Sequence, residues 1–430
     1  MALTCKQYAL NTLSRYWEHN SHLLEKLPIP ESAVRNAQSR IPPKFRQIQL
    51  PEWADEFGVE GKIPVPIEFA HDSWEDVDWW SVICWFIRGS AETEYERLHG
   101  PIHSYQSRLK DWPSEMWEYA WANRIGLFLR RWSAKIHENN EIDLFGVLPP
   151  AEIEITHDVD AVAKTFAIRV KQTAFNLFNV FRLLRNGHFT EALHSFFKAV
   201  RFAFSMEKYW FFEDILNIEN EYSIKSVFNF YGGNGGWARS PKSLLFDPAY
   251  KIHSKKLRHL IQDMNRKGWQ IGLHQSYDSW SDPDKMRLEK QHIERNLLSE
   301  ITLCRQHWLR FSWFQTWPAQ DSSGFSKDMT LGFNDYPGFR NGCALSFHPW
   351  IAGESSPLNI EAIPMILMDS HLYDYGQYSK EERITEINRW INEIKFTHGV
   401  GSIIWHQRVF SRDYNWKNGF ISVLDTLRDE

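Results

Sequence analysis

The chain has 430 residues, 43% of them hydrophobic, which is length for two or three ordinary domains and enough apolar material for a large core; a disordered chain is excluded. Forty-nine Lys and Arg against 54 Asp and Glu leave a formal charge of -5, which excludes a dominant attraction to a nucleic-acid backbone. The first residues, MALTCKQYALNTLSRYWEHN, lack the apolar core of an export signal, and the greasiest run, Trp79 to Ile87, falls well short of the roughly 18 apolar residues of a membrane span. The expectation is therefore a cytoplasmic protein with no transmembrane segment and no nucleic-acid partner. Its four cysteines, Cys5, Cys84, Cys304 and Cys343, form no CxxC pair and signal neither a zinc knuckle nor a disulfide framework.

Residues 1–150 carry much Trp and Pro, an acidic run from Asp72 to Asp78 and no regular alternation of strand and helix. They read as a smaller α+β N-terminal domain. Apolar residues recur at helical spacing over Trp117 to Ile136, and Pro149-Pro150 marks the boundary. Directly after it, EIEITHDVD (Glu152 to Asp160) alternates isoleucine with polar residues in the period of a strand that ends in acids. Further strands are predicted at Ser226–Phe230, Trp269–Leu273, Trp308–Phe314 and Gly401–Trp405, separated by helical patterns, so residues 151–430 read as an α/β barrel or sheet. The insertion 161–206 has helical patterning, nine phenylalanines, and seven Lys or Arg against the single acid Glu191. Two readings of it stand: phenylalanines packed against the rest of the protein, or a basic amphipathic pair resting on an anionic membrane surface. Asp335 to Gly342, DYPGFRNG, reads as a loop of the kind that lines active sites.

The residue types at the strand ends point to chemistry. In His157-Asp158-Val159-Asp160 the two carboxylates fall on one side of an extended backbone, where they would repel one another unless they hold a cation or divide base and ligand duties. A helix-capping turn is the competing explanation of such a pair. In Gly272–Asp278, GLHQSYD, a histidine and a carboxylate stand four apart. With Asp160, His274 and Asp278 supply one imidazole and two carboxylates, a donor set for one divalent metal, zinc first and cobalt, nickel or manganese after it. His406 ends a later strand, where a general acid would sit, and Arg310 ends another.

Taken in order, THDVD, IGLHQSYDSW, CRQHWLRF, GFSKDMTLGF, PGFRNG, IPMILMD and IIWHQ resemble the polysaccharide deacetylase superfamily, carbohydrate esterase family 4 with its NodB-like irregular (β/α) barrel, in a bacterial subgroup with an extra N-terminal domain. The resemblance implies Asp158 as catalytic base, Asp160 and His274 as metal ligands, Arg310 as the residue that orients the base, and His406 as general acid. Two departures from the family pattern stand out. Val159 separates aspartates that are adjacent in the common first motif, and Asp278 holds the place usually taken by a second histidine. Tyr277, Arg340, Trp313 and Trp405 are the expected substrate contacts, with Trp317 a further stacking surface. The implied reaction is metal-assisted removal of an acetyl group, N-acetyl above all, from a sugar or polysaccharide precursor. A glycan-binding protein without turnover, or a glycosyltransferase using HDVD as its DxD motif, remain the alternatives.

Overall fold

The computed structural model describes residues 3–31, 39–185, 187–233, 241–297, 299–376 and 378–428, without the side chains of residues 167, 171, 175 and 191. Lys171, Phe175 and Glu191 of the insertion thus have side chains outside the described residues. Among the described residues ten strands form two sheets. β1 (Phe45–Gln49) and β2 (Lys62–Pro66) pair antiparallel. The other eight are β3 (Glu152–Val159), β4 (Val227–Tyr231), β5 (Gln270–Gln275), β6 (Leu303–Gln306), β7 (Lys327–Asp328), β8 (Glu361–Ala362), β9 (Met365–Met368) and β10 (Val400–Ile404). They make one sheet in the order β8-β7-β6-β5-β4-β3-β10-β9, with parallel registers at β3/β4, β4/β5, β6/β7 and β7/β8. Helices alternate with the strands from β3 to β7 and between β9 and β10, as the sequence predicts for an α/β fold.

β4, β9 and β10 are buried along their whole length, which accounts for their apolar runs. One predicted strand is absent. In the stretch Trp308–Phe314, Trp308 and Leu309 take left-handed φ values of 57° and 48°, so the chain turns where the apolar alternation suggested extension, and the strand is β6, ending at Gln306. The helix expected over Trp117–Ile136 comes as a short turn, Glu115–Glu118, and a long helix, Trp121–Ile136.

The chain groups into two compact units. The first holds residues 1–154, 280–286 and 302–403; the second holds 155–279, 287–301 and 404–430. The sequence reading placed domains at 1–150 and 151–430; the units divide within β3, after Glu154, but the chain then returns to the first at 280 and again at 302. Within the first unit the N-terminal segment is knitted to the later one. Asn123 Nδ2 donates to Ala344 O at 2.9 Å, Tyr16 Oη donates to Thr397 O, and Arg124 meets Glu393 in a buried two-pronged ion pair with distances of 2.6 and 2.7 Å. The Trp79–Ile87 run is a helix buried on every side but Ser81, so its apolar character serves the core of this unit.

The second unit contains β4, β5, most of β3 and the insertion. The insertion is a pair of helices, Phe166–Arg185 and Phe189–Phe204. Lys164 Nζ donates to Phe202 O at 2.6 Å and Arg169 Nη1 to Ala203 O at 3.0 Å, which ties the start of the first helix to the end of the second as an antiparallel hairpin.

Candidate active site

β3 delivers the site residues by its alternation of faces. His157 points into the core of the second unit, wholly buried, with Nε2 2.8 Å from Glu219 Oε1 and Nδ1 2.5 Å from Trp405 O. Glu219 takes a further bond from Trp269 Nε1 at 2.5 Å. This imidazole is structural. Asp158, on the opposite face, lies in register with Asn229 of β4, whose Nδ2 donates to Asp158 Oδ1 at 2.9 Å. The bond fixes a carboxylate that is only 3% exposed.

His274 sits near the end of β5, in register with Tyr231 of β4. Its Nδ1 is 3.9 Å from Asp158 Oδ2, and its Nε2 is 3.3 Å from Asp160 Oδ1. One imidazole therefore lies between the two carboxylates of the HDVD segment. Asp160 divides its oxygens: Oδ2 is engaged by Arg408 and lies 3.5 Å from His406 Nε2, while Oδ1 faces His274. Tyr250 Oη accepts from Tyr231 N at 2.5 Å. Burial first, and then the charges of Asp160 and Asp158, push this phenol well above its ordinary value, so it stays protonated.

The donor chemistry fits a divalent cation. Two ligands of a tetrahedral zinc, each about 2.1 Å from the ion, stand about 3.4 Å apart, and Asp160 Oδ1 to His274 Nε2 is 3.3 Å. Among the described residues the metal-capable grouping of imidazole and carboxylate atoms includes this pair and does not include Asp278. Asp278 Oδ1 is instead 2.8 Å from Lys242 Nζ, both side chains being well exposed. Tyr277 stands beside that ion pair, its ring stacked on Phe246 at 4.3 Å and its N–H donating to Asp247 Oδ1 at 2.6 Å.

Three of the expected substrate contacts have other tasks. Trp405 is completely buried and packs on Phe420. Arg340 and Trp313 belong to the core of the first unit: Arg340 Nη2 is 2.8 Å from Glu92 Oε2 with side-chain exposures of 1% and 3%, its Nη1 donates to Gly332 O, and Trp313 Nε1 donates to the same Glu92 at 3.1 Å. A guanidinium enclosed with its own counter-ion cannot reach a sugar without breaking that pair. The PGFRNG loop is thus a buried structural segment. Trp317, also buried, gives its Nε1–H to Asp328. Arg310 lies in the first unit with Nη2 3.0 Å from His103 Nε2 and its guanidinium over Trp280. Burial, then the Arg310 charge, hold His103 down to about 4, so it faces the cation as a neutral acceptor.

Two residues of the second unit's site went unread in the sequence. Arg408 stands two places after His406, in IIWHQR, where the basic side chain gave no sign of its acidic partner 248 positions earlier. Asn229 lies in the apolar strand VFNFY, and a single amide within such a run was the available signal. His307, buried one residue past β6, is a further strand-end imidazole, three residues before Arg310 in the CRQHWLRF motif.

No family model and no curated protein matches the chain. Solved structures similar to it include a protein assigned as a polysaccharide deacetylase from Mycobacterium smegmatis, at 14% identity and TM-score 0.38 over 65% of this chain and 85% of that one. Others are the Xyl-CE4 domain of a multidomain xylanase from the hindgut metagenome of Trinervitermes trinervoides (10%, TM-score 0.30, 65% and 84%) and a polysaccharide deacetylase from Bacillus cereus (10%, TM-score 0.29, 65% and 88%).

Proposed function

We propose that the chain is a metal-dependent hydrolase that removes an acetyl group, N-acetyl above all, from a sugar or glycan precursor. The observation that carries this reading is the placement of His274 between Asp158 and Asp160, at 3.9 and 3.3 Å, with His406 3.5 Å from Asp160. Asp160 and His274 would hold the ion, zinc first and cobalt, nickel or manganese after it. Once bound it would supply Lewis acidity toward the acetyl carbonyl and acidify a water. Asp158, fixed by Asn229, takes the proton of the attacking water. His406, with 12% of its side chain exposed, gives a proton to the departing amine as the C–N bond breaks. Arg408 pins the far oxygen of Asp160 and keeps its near oxygen directed at the ligand position. As third ligand Asp278 would have to leave Lys242; in its present pairing it borders the site beside Tyr277. Arg310 is assigned to orient the catalytic base, on the strength of its motif.

On this reading the work is done in the cytoplasm. We place that work at the inner face of the membrane, on a precursor of a surface polysaccharide. The test is acetate release by metal-reconstituted protein from a panel of free, nucleotide-linked and lipid-linked N-acetyl sugars. Release by the wild type and its loss in Asp158→Asn would support the reading. Metal-loaded protein that releases no acetate from any of them would favour a glycan-binding role.

A further inference from the structure

The helical hairpin of the second unit leaves apolar side chains in water where a soluble surface would not. Of the 23 large apolar side chains exposed among the described residues, 13 fall between Phe166 and Met206. In the first helix Phe166, Val170, Leu177, Phe181 and Leu184 are exposed, at spacings of 4, 7, 4 and 3 that draw one line along a helix of 3.6 residues per turn. In the second, Phe189, Leu193, Phe197, Val200 and Phe204 do the same. The side chains buried in the hairpin are Asn176 and Leu183 on one helix and Ala192, Ala199 and Phe202 on the other. At about 100° per residue, each exposed line lies about 120° round from the buried residues, and in the same rotational sense. The helices run antiparallel, so equal rotation in one sense brings both lines to the same side of the hairpin. The result is a single apolar face two helices wide.

We infer that this face docks on an anionic lipid bilayer. The insertion 161–206 carries seven Lys or Arg against one acid, in a chain whose total charge is -5; exposed Arg185 flanks the apolar line about 80° round the helix, and exposed Arg182 lies about 140° round. A second copy of the chain offered face to face would set these cations against each other, whereas a leaflet of acidic headgroups over acyl chains matches both the charge and the apolar stripe. The hairpin's root is bonded to the segment that carries the site: Lys164 Nζ is 2.6 Å from Asp413 Oδ2, and Arg201 Nη2 donates to Arg412 O at 2.7 Å, a few residues beyond His406 and Arg408. Docking would hold the end of β3 near headgroup level, where a lipid-linked glycan presents its sugar. The placing of the sugar rests on the deacetylase reading; the lipid contact does not.

The test is flotation of the full chain with phosphatidylcholine vesicles and with vesicles that also contain phosphatidylglycerol. We expect binding to the anionic vesicles at low salt, weakened by added salt, and about ten-fold or more weaker in Arg182→Glu/Arg185→Glu, since each cation near such a surface adds about 1 kcal/mol. Phe181→Ser/Phe197→Ser should lower binding at every salt concentration. Circular dichroism and metal content of both variants should match the wild type, and acetate release from a soluble sugar reports separately on the deacetylase reading. Absence of flotation with anionic vesicles at low salt, or equal binding by the charge-reversed and native chains, would overturn the inference. So would a dimer in analytical ultracentrifugation that the phenylalanine substitutions dissociate, which would give the face to a second copy.

Discussion

Replacing Arg340 separates a structural from a substrate-binding role for the PGFRNG segment. Arg340→Met keeps most of the side chain's volume over Phe333 and Phe311 but removes the charge. Glu92, 3% exposed, then loses hydrogen bonds of 2.8 and 3.1 Å and keeps the one from Trp313 Nε1, while the Gly332 carbonyl loses its donor. Breaking one side of such a buried pair costs about 3–5 kcal/mol, because the remaining charge is stranded away from water. Arg340→Met/Glu92→Gln removes both charges and should lose only about 1–2 kcal/mol, so the two substitutions will be strongly coupled. Urea unfolding followed by tryptophan fluorescence measures all three variants. A single-mutant loss below about 1 kcal/mol, or acetate release that collapses while stability is unchanged, would refute this account and return Arg340 to the substrate.

His371 predicts a pH response of stability. Its Nδ1 accepts from Met368 N at 3.1 Å and its Nε2–H points to Phe333 O at 2.9 Å, so a second proton has no place to go, and burial lowers its pKa from 6.5 to about 4. The unfolded chain binds that proton first, so stability is full above about pH 6.5 and falls as pH drops toward 4, by at most about 3 kcal/mol from this group. Urea midpoints at pH 7 and 5 should fall less in His371→Asn than in the wild type, and parallel losses would remove His371 as the cause. For the metal, His274→Ala should lose most of the affinity in elemental analysis, and equal occupancy would misplace the site. Asp278→Ala, measured in the same assay, shows whether that carboxylate adds to the pair. Asp158→Asn and His406→Ala should each slow acetate release by about two to four orders of magnitude with metal retained; activity within about three-fold of wild type would remove that residue from the mechanism.

The parts of the site legible in the sequence are those fixed by local rules. Strand alternation placed Asp158 and Asp160 at an exit, and the apolar run before His274 marked β5. What was not legible depends on partners far along the chain. Arg340 reads as a loop cation until Glu92, 248 positions away, encloses it, and Trp313 reads as a stacking surface until the same carboxylate takes its N–H. Asp278 reads as a metal ligand from its spacing to His274, yet it pairs with Lys242. The turn at Trp308–Leu309 defeats periodicity because aromatic and aliphatic residues in left-handed conformations carry no compositional warning. In the insertion, charge and phenylalanine content were plain, but the exposure of Phe166, Phe181, Phe197 and Phe204 beside the burial of Phe202 was not legible.

The interleaving of residues 1–154 with 302–403 in one unit also bears on how such a gene can change. Modules that evolution adds or sheds are contiguous stretches whose removal leaves the remainder's core closed. Here a deletion ending near residue 150 would strip Arg124 from Glu393 and Glu92 from Arg340, and leave Thr397 and Ala344 without the Tyr16 and Asn123 groups that satisfy them. The N-terminal segment is therefore not a detachable accessory. Descent by shuffling of whole modules is closed to this chain at that boundary, and expression of 151–430 alone should yield an insoluble product.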